Sequence, residues 1–322
     1  MAAVQPLQTP PIIKPAVQRV SDPAHSAAVI FLHGADDDAA SWENLAHAIH
    51  RTSTLPYARF ILPTAPHNTT LNRPAWFAPT SPRAFSPTSP SPTSSPPPSA
   101  SSTPPSSPTY SAADPAGLRS SVALVSDLIS TLTTTSGLDP ARIVLAGRAA
   151  PGGGGAAVAL LTALTSPEWA GRLGGVVALG EGTGPAADAE TAALEDVYAV
   201  LPLPKERVQR WRAEAGLPAE AGDLPVFWGR AGGAPPAAPR KSDGVSMGGP
   251  VGGEKKARKP GHGRRASEVL VDGLGMDADS VMVREYGVGR GGKGMKMGAG
   301  VLEEDVLRDM CAWMERMVPP LE

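Results

Sequence analysis

The chain has 322 residues, a net charge of −2 and 41% hydrophobic residues, enough for a core. Its 36 prolines and 35 glycines exceed a fifth of the chain, against about 12% in ordinary proteins, so the excess is expected in segments outside the packed fold. The charge balance excludes whole-chain electrostatic binding of nucleic acid. The sequence holds no uncharged apolar run of about 18 residues, which excludes a transmembrane helix, and its single cysteine, Cys311, excludes an internal disulfide or a cysteine metal site.

In chain order, residues 1–25 have no basic stretch followed by an apolar run and are expected to be a flexible extension rather than a secretory signal. Ala28–Leu32 is a short apolar run of the buried-strand type. Trp42, Leu45, Ala46 and Ile49 follow at i, i+3, i+4 and i+7, one face of a helix. Arg59–Leu62 reads as a second strand, stopped by Pro63. Residues 81–113 are dominated by proline and serine, with too little apolar surface to offset their ordering entropy; a disordered, partly polyproline insertion is expected.

Leu118, Val122, Val125, Leu128, Ile129 and Leu132 make a helical stripe. Strand Ile143–Ala146, helix Ala156–Leu164 and strands Gly175–Leu179 and Pro225–Trp228 come next. Residues 232–262 form a second expected insertion, rich in glycine, proline and basic residues; 236–265 carry a local charge of +6, read as a solvated loop. Arg264-Arg265-Ala266-Ser267 has the pattern of a basophilic-kinase site. Helix Ser267–Leu274, strand Val281–Tyr286 and a last helix, Leu302–Met317, complete the series. Strands alternating with helices imply an α/β fold: a mostly parallel, doubly wound sheet with helices on both faces, one domain over 26–318 interrupted by the two insertions.

Short motifs sit between these elements in a fixed order. They are Phe31-Leu32-His33-Gly34, Pro63-Thr64-Ala65-Pro66, Trp76-Phe77, Arg142-Ile143-Val144-Leu145-Ala146-Gly147, Leu173-Gly174-Gly175-Val176-Val177-Ala178-Leu179 and Pro225-Val226-Phe227-Trp228-Gly229. The series resembles the phospholipase/carboxylesterase family of α/β-hydrolases, the group that includes acyl-protein thioesterases. That resemblance implies an α/β-hydrolase fold and descent from serine ester or thioester hydrolases. Fold and descent do not by themselves establish an activity.

A serine hydrolase needs a nucleophile on a strand-to-helix elbow, a histidine base, an acid to orient it and backbone donors for the oxyanion. In place of G-x-S-x-G-G the chain reads Gly147-Arg148-Ala149-Ala150-Pro151-Gly152-Gly153. Ala149 takes the serine position when aligned from the strand, Ala150 when aligned from the following glycines. No Ser, Thr, Cys or Asp lies between Gly147 and Leu161. Ala234 stands where the family's aspartate is expected, and the loop 287–300 after the last strand has no histidine.

The oxyanion loop, Gly34 and Ala35, matches the family, with Ala150 as second donor if Ala149 marks the serine site. His33 beside it is expected to be structural. Trp76 and Phe77 are either the wall of an acyl pocket or plain core. Ser246, in a G-x-S-x-G-G spelling at 244–249, and His262 are substitutes without a strand or helix to present them. Gly287–Gly292 spells G-x-G-x-x-G but is followed by a single helix, and Gly147–Gly152 lacks the Lys-Ser/Thr of a phosphate loop, so no cofactor or metal site is indicated.

Three functions remain open. The first is a cytoplasmic, catalytically degenerate hydrolase-fold protein that binds an acyl ester, a thioester or a protein partner. The second is an active carboxylesterase or thioesterase with a rearranged triad. The third is an interaction scaffold acting through its insertions.

Overall fold

The computed structural model describes residues 9–35, 37–69, 71–78, 114–149, 154–180, 200–231, 263–286, 302 and 304–320. Both expected insertions, Ala150, Ala234, Ser246, His262 and the loop 287–300 lie outside the described residues.

The strands are β1 (Ile12–Lys14), β2 (Ala27–Leu32), β3 (Ala58–Leu62), β4 (His67–Asn68), β5 (Arg73–Pro74), β6 (Ile143–Ala149), β7 (Gly175–Gly180), β8 (Val226–Ala231) and β9 (Val281–Tyr286). The α-helices are α1 (Glu43–Arg51), α2 (Pro115–Ser136), α3 (Gly155–Thr165), α4 (Lys205–Glu214), α5 (Gly263–Leu274) and α6 (Glu304–Met317). Seven strands form one sheet in the order β1-β3-β2-β6-β7-β8-β9, and β4 pairs with β5 in a small antiparallel ladder. Every pairing in the large sheet is parallel except β1 with β3.

Every residue of β2 and β7 is buried. Their apolar runs are continuous because helices cover both faces of a parallel sheet. One face packs Ile143, Leu145 and Ala149 of β6 with Leu118, Val125 and Ile129 of α2, the whole of α3 and Trp211 of α4. The other packs Val144 and Ala146 with Leu45 and Ile49 of α1 and Val306, Met310 and Trp313 of α6. This is the expected doubly wound arrangement.

Helix α2 shows how local chemistry sets a boundary. Pro115 occupies the first turn, where its missing N–H is not needed, and the Asp114 carboxylate accepts from the N–H groups of Ala116 and Gly117 at 3.0 and 3.1 Å. The helix stops at Gly137, whose φ of +62° is the left-handed conformation that glycine adopts without penalty.

The start of the fold differs from the sequence reading, and β6 runs three residues further, to Ala149. Residues 1–25 are expected to lie outside the fold, but Ile12–Lys14 add an antiparallel strand to β3, with Ile12 opposite Leu62 and Lys14 opposite Phe60. Three residues between Pro11 and Pro15 are too few to show a periodicity. The pairing comes from the open backbone edge of β3, and the Lys14 ammonium meets the Glu43 carboxylate.

Candidate functional site: the donor loop and the elbow

In a parallel sheet, functional loops gather at the carboxyl ends of the strands. Here those ends are level. Leu32 of β2 lies opposite Gly147 of β6, Ala149 opposite Gly180 of β7, and Gly180 opposite Arg230 of β8. The loop His33–Asp37, expected from the resemblance to carry the oxyanion donors and called the donor loop below, follows β2, and the segment expected to form the elbow begins at the end of β6.

His33 is the centre of this corner and is 1% exposed. The N–H of Ala65, in the Pro63-Thr64-Ala65-Pro66 motif, donates to His33 Nε2 at 2.9 Å. That nitrogen is therefore the acceptor, and Nδ1 carries the proton, donating it to the Gly34 carbonyl at 2.7 Å. The His33 carbonyl accepts from Trp76 Nε1 and from the Gly155 N–H, both at 3.0 Å. Burial pushes the imidazole pKa below its ordinary value, against a smaller opposing effect of the Gly34 hydrogen bond. A neutral ring with both nitrogens engaged cannot serve as the general base, so His33 is a structural residue. Three of the ordered motifs meet at this one side chain.

Trp76 and Phe77 are 2% and 3% exposed and belong to the same buried cluster as Ala149 and Ala65. Their place is in the packed layer beneath the elbow. Ser121 Oγ donates to the Trp76 carbonyl, fixing this segment to α2.

At the elbow, β6 continues through Ala149, two residues past the glycine that opens the motif, and Ala149 is 4% exposed. Two glycines are enforced by close backbone approach. A Cβ on Gly147 would stand 2.4 Å from the Ala156 nitrogen, and one on Gly155 would stand 2.2 Å from the Leu32 carbonyl oxygen. In G-x-S-x-G three residues separate the two glycines. Between Gly147 and Gly155 there are seven. Ala149 stands two residues after Gly147, as the serine of an elbow does, but six before Gly155, and Ala150 stands three after Gly147 and five before Gly155.

The sequence reading missed an ion pair at this corner. Arg148 Nη1 donates to Asp37 Oδ2 at 2.5 Å, with each side chain only 13% exposed, and Trp42 Nε1 donates to the same oxygen at 3.3 Å. An arginine in the otherwise apolar run Ile143–Ala149 is the signal that could have found it. Among the described residues no group of three or more His, Cys, Asp or Glu could hold a metal ion.

A mostly parallel doubly wound sheet with one antiparallel edge strand, and a loop after β2 that meets the end of β6 and the start of α3, give the chain an α/β-hydrolase fold. No family model matches the chain. Two curated relatives do: acyl-protein thioesterase 1 of Yarrowia lipolytica, 38% identical over 68 residues (20% of this chain, 30% of the relative), and that of Neurospora crassa, 36% identical over 73 residues (21% and 28%). The chain thus matches under a third of the length of these relatives. Among solved structures it is similar to esterase PE8, at 18% identity and a TM-score of 0.49 over 96% of this chain and 98% of that one. It is also similar to the Bacillus cereus carboxylesterase, at 11% identity and 0.49 over 95% and 93%. Over those 68 to 73 residues the chain is similar to acyl-protein thioesterases.

Proposed function

We propose that this chain is a catalytically silent α/β-hydrolase-fold protein that binds an acyl ester or thioester, free or carried on a protein partner. One observation carries the reading: β6 ends on the methyl group of Ala149, and no Ser, Thr, Cys or Asp lies between Gly147 and Leu161, so neither alignment of the elbow offers a nucleophile. A methyl group cannot attack a carbonyl. Ala234 and the histidine-free loop 287–300 point the same way in the sequence. Without a triad, binding and an oxyanion hole give about 10³–10⁴-fold over water in a well-formed hydrolase, too little to sustain turnover.

We place the protein in the cytoplasm. Its one cysteine forms no disulfide, and burial pushes the Cys311 thiol up to about 12, so it stays protonated. Among the described residues no helix is long and apolar enough to cross a membrane.

The test uses the full chain with two reagents. A serine-reactive fluorophosphonate is expected to leave the protein unlabelled. Calorimetry with an acyl thioether, a thioester analogue that cannot be hydrolysed, is expected to show binding. Labelling that disappears in Ser246→Ala would mean an active enzyme with a rearranged triad. Absence of thioether binding would remove the acyl-binding role.

A further inference from the structure

The donor loop is held from two sides, and only one of them belongs to the motifs. On the side of α2 and α3, His33 is fixed by Ala65, Trp76 and Gly155. On the opposite face, the loop's far end meets Arg148. Side chains alternate across a strand, so Arg148 shares the face of Val144 and Ala146, towards α1, while Ala149 faces α2 and α3. The guanidinium runs back over Gly34: a Cβ there would stand 3.1 Å from Arg148 Cδ and 3.3 Å from Asp37 Oδ2. Asp37 closes its own turn through its N–H to the Gly34 carbonyl at 3.3 Å and receives the Trp42 indole N–H.

We propose that Arg148 and Asp37 form a latch that fastens the donor loop to β6, holding the backbone of Gly34 and Ala35 in place across an elbow that no longer supplies a nucleophile. The pair is a positioning device, because it lies on the face opposite Ala149. A charge-assisted bond between two side chains that are largely screened from water is strong and directional. It joins residues 111 positions apart, so it reports the loop's attachment to the sheet rather than local helix or turn propensity. Its use in holding an acyl carbonyl rests on the acyl-binding reading above, but its effect on the loop does not.

The experiment is hydrogen exchange on the full chain, comparing wild type with Asp37→Asn, Arg148→Met and Arg148→Lys. Exchange over 34–42 is expected to speed up roughly ten- to a hundredfold in Asp37→Asn and Arg148→Met, the fold-change matching loss of a hydrogen bond to a charged group. Strands β2 and β6 keep their protection, and Arg148→Lys recovers part of it at 34–42. Unchanged exchange at 34–42 in Asp37→Asn, which keeps the side-chain shape, overturns the latch. If Arg148→Met loses protection throughout the sheet, Asp37→Asn decides alone. The same variants are titrated with the acyl thioether. Weaker binding in step with faster exchange supports positioning, and unchanged affinity in a loosened loop overturns it. A wild type that binds no thioether, with the exchange effect present, sinks the acyl-binding reading and leaves the latch standing.

Discussion

The loop after β2 and the two glycines that flank the turn after β6 are neighbours: the Gly155 N–H, at the start of α3, donates to the His33 carbonyl, and Arg148, beside Gly147, pairs with Asp37. The loop keeps its hub histidine in a defined tautomer, its two motif contacts and an ion pair at its far end. The turn keeps the two glycines that let α3 lie against the sheet, but the residues between them carry no nucleophile. Backbone approach and side-chain chemistry are thus separate demands: glycines at close contacts serve the fold whatever side chains lie between them. A fold with this frame intact is no guide to whether it catalyses.

The largest expected effect tests the frame. Gly155→Ala puts a carbon 2.2 Å from the Leu32 carbonyl oxygen, which is backbone and cannot swing away. Strand β2 or helix α3 must shift, at about 3 kcal/mol or more, the upper part of the range for overpacking. Gly180→Ala is the control, since its nearest neighbour would be at an ordinary 3.7 Å; a change within about 1 kcal/mol is expected there. Urea midpoints measure both. Equal midpoints for the two variants would show that the elbow glycines no longer hold the fold.

The next effect tests the donor loop through its histidine. Burial lowers the His33 pKa, so the unfolded chain binds more protons than the folded one as pH falls through about 6.5, the ordinary value. Stability from this group is therefore full above pH 7 and declines from about pH 6.5 downward. Asp38 contributes in a separate, lower window: hydrogen bonds from the Ser41 N–H and Oγ hold its carboxyl below the usual range, so its stabilisation is lost only in strong acid. Replacing His33 with leucine leaves the Ala65 N–H unpaired, costing about 1–3 kcal/mol at pH 8. It also removes part of the decline between pH 7 and 5. Urea midpoints across that range check it, and a variant as pH-sensitive as wild type would contradict the buried neutral ring.

How much of this was legible beforehand follows the same division. Strands β2, β6, β7 and β8 announce themselves because a strand buried on both faces needs no polar alternation; Val29-Ile30-Phe31-Leu32 and Val176-Val177-Ala178-Leu179 admit few other readings. The stripes of α1, α2 and α6 are equally plain. Edge strand β1 is invisible because its three residues gain order only from β3. The absent serine could be read directly, since no permitted alignment supplies one. The Arg148–Asp37 pair could not be read, because it links the end of a strand to a distant loop through a register that exists only in the folded sheet. Nor could sequence show that Gly147 and Gly155 are the glycines in contact, since four consecutive glycines at 152–155 offer the same letter to every alignment.

That ambiguity leads to the smallest expected change in stability and the strictest test of the comparison. Ala149→Ser adds one hydroxyl to a buried position beside Gly180, at an expected cost of about 1 kcal/mol. It is expected to gain no fluorophosphonate labelling, because seven residues still separate the contact glycines and the loop after β9 brings no histidine. Ala149→Ser combined with deletion of residues 150–153 leaves only Arg148, the introduced serine and Gly154 between Gly147 and Gly155, the three-residue spacing of a working elbow. This variant separates geometry from chemistry. If it folds with a wild-type urea midpoint and still resists the reagent, the elbow's shape has been restored and the missing base is what silences the site. If it labels, a base is supplied from elsewhere in the chain, and an unreactive wild type is explained by the missing serine together with the length of the turn.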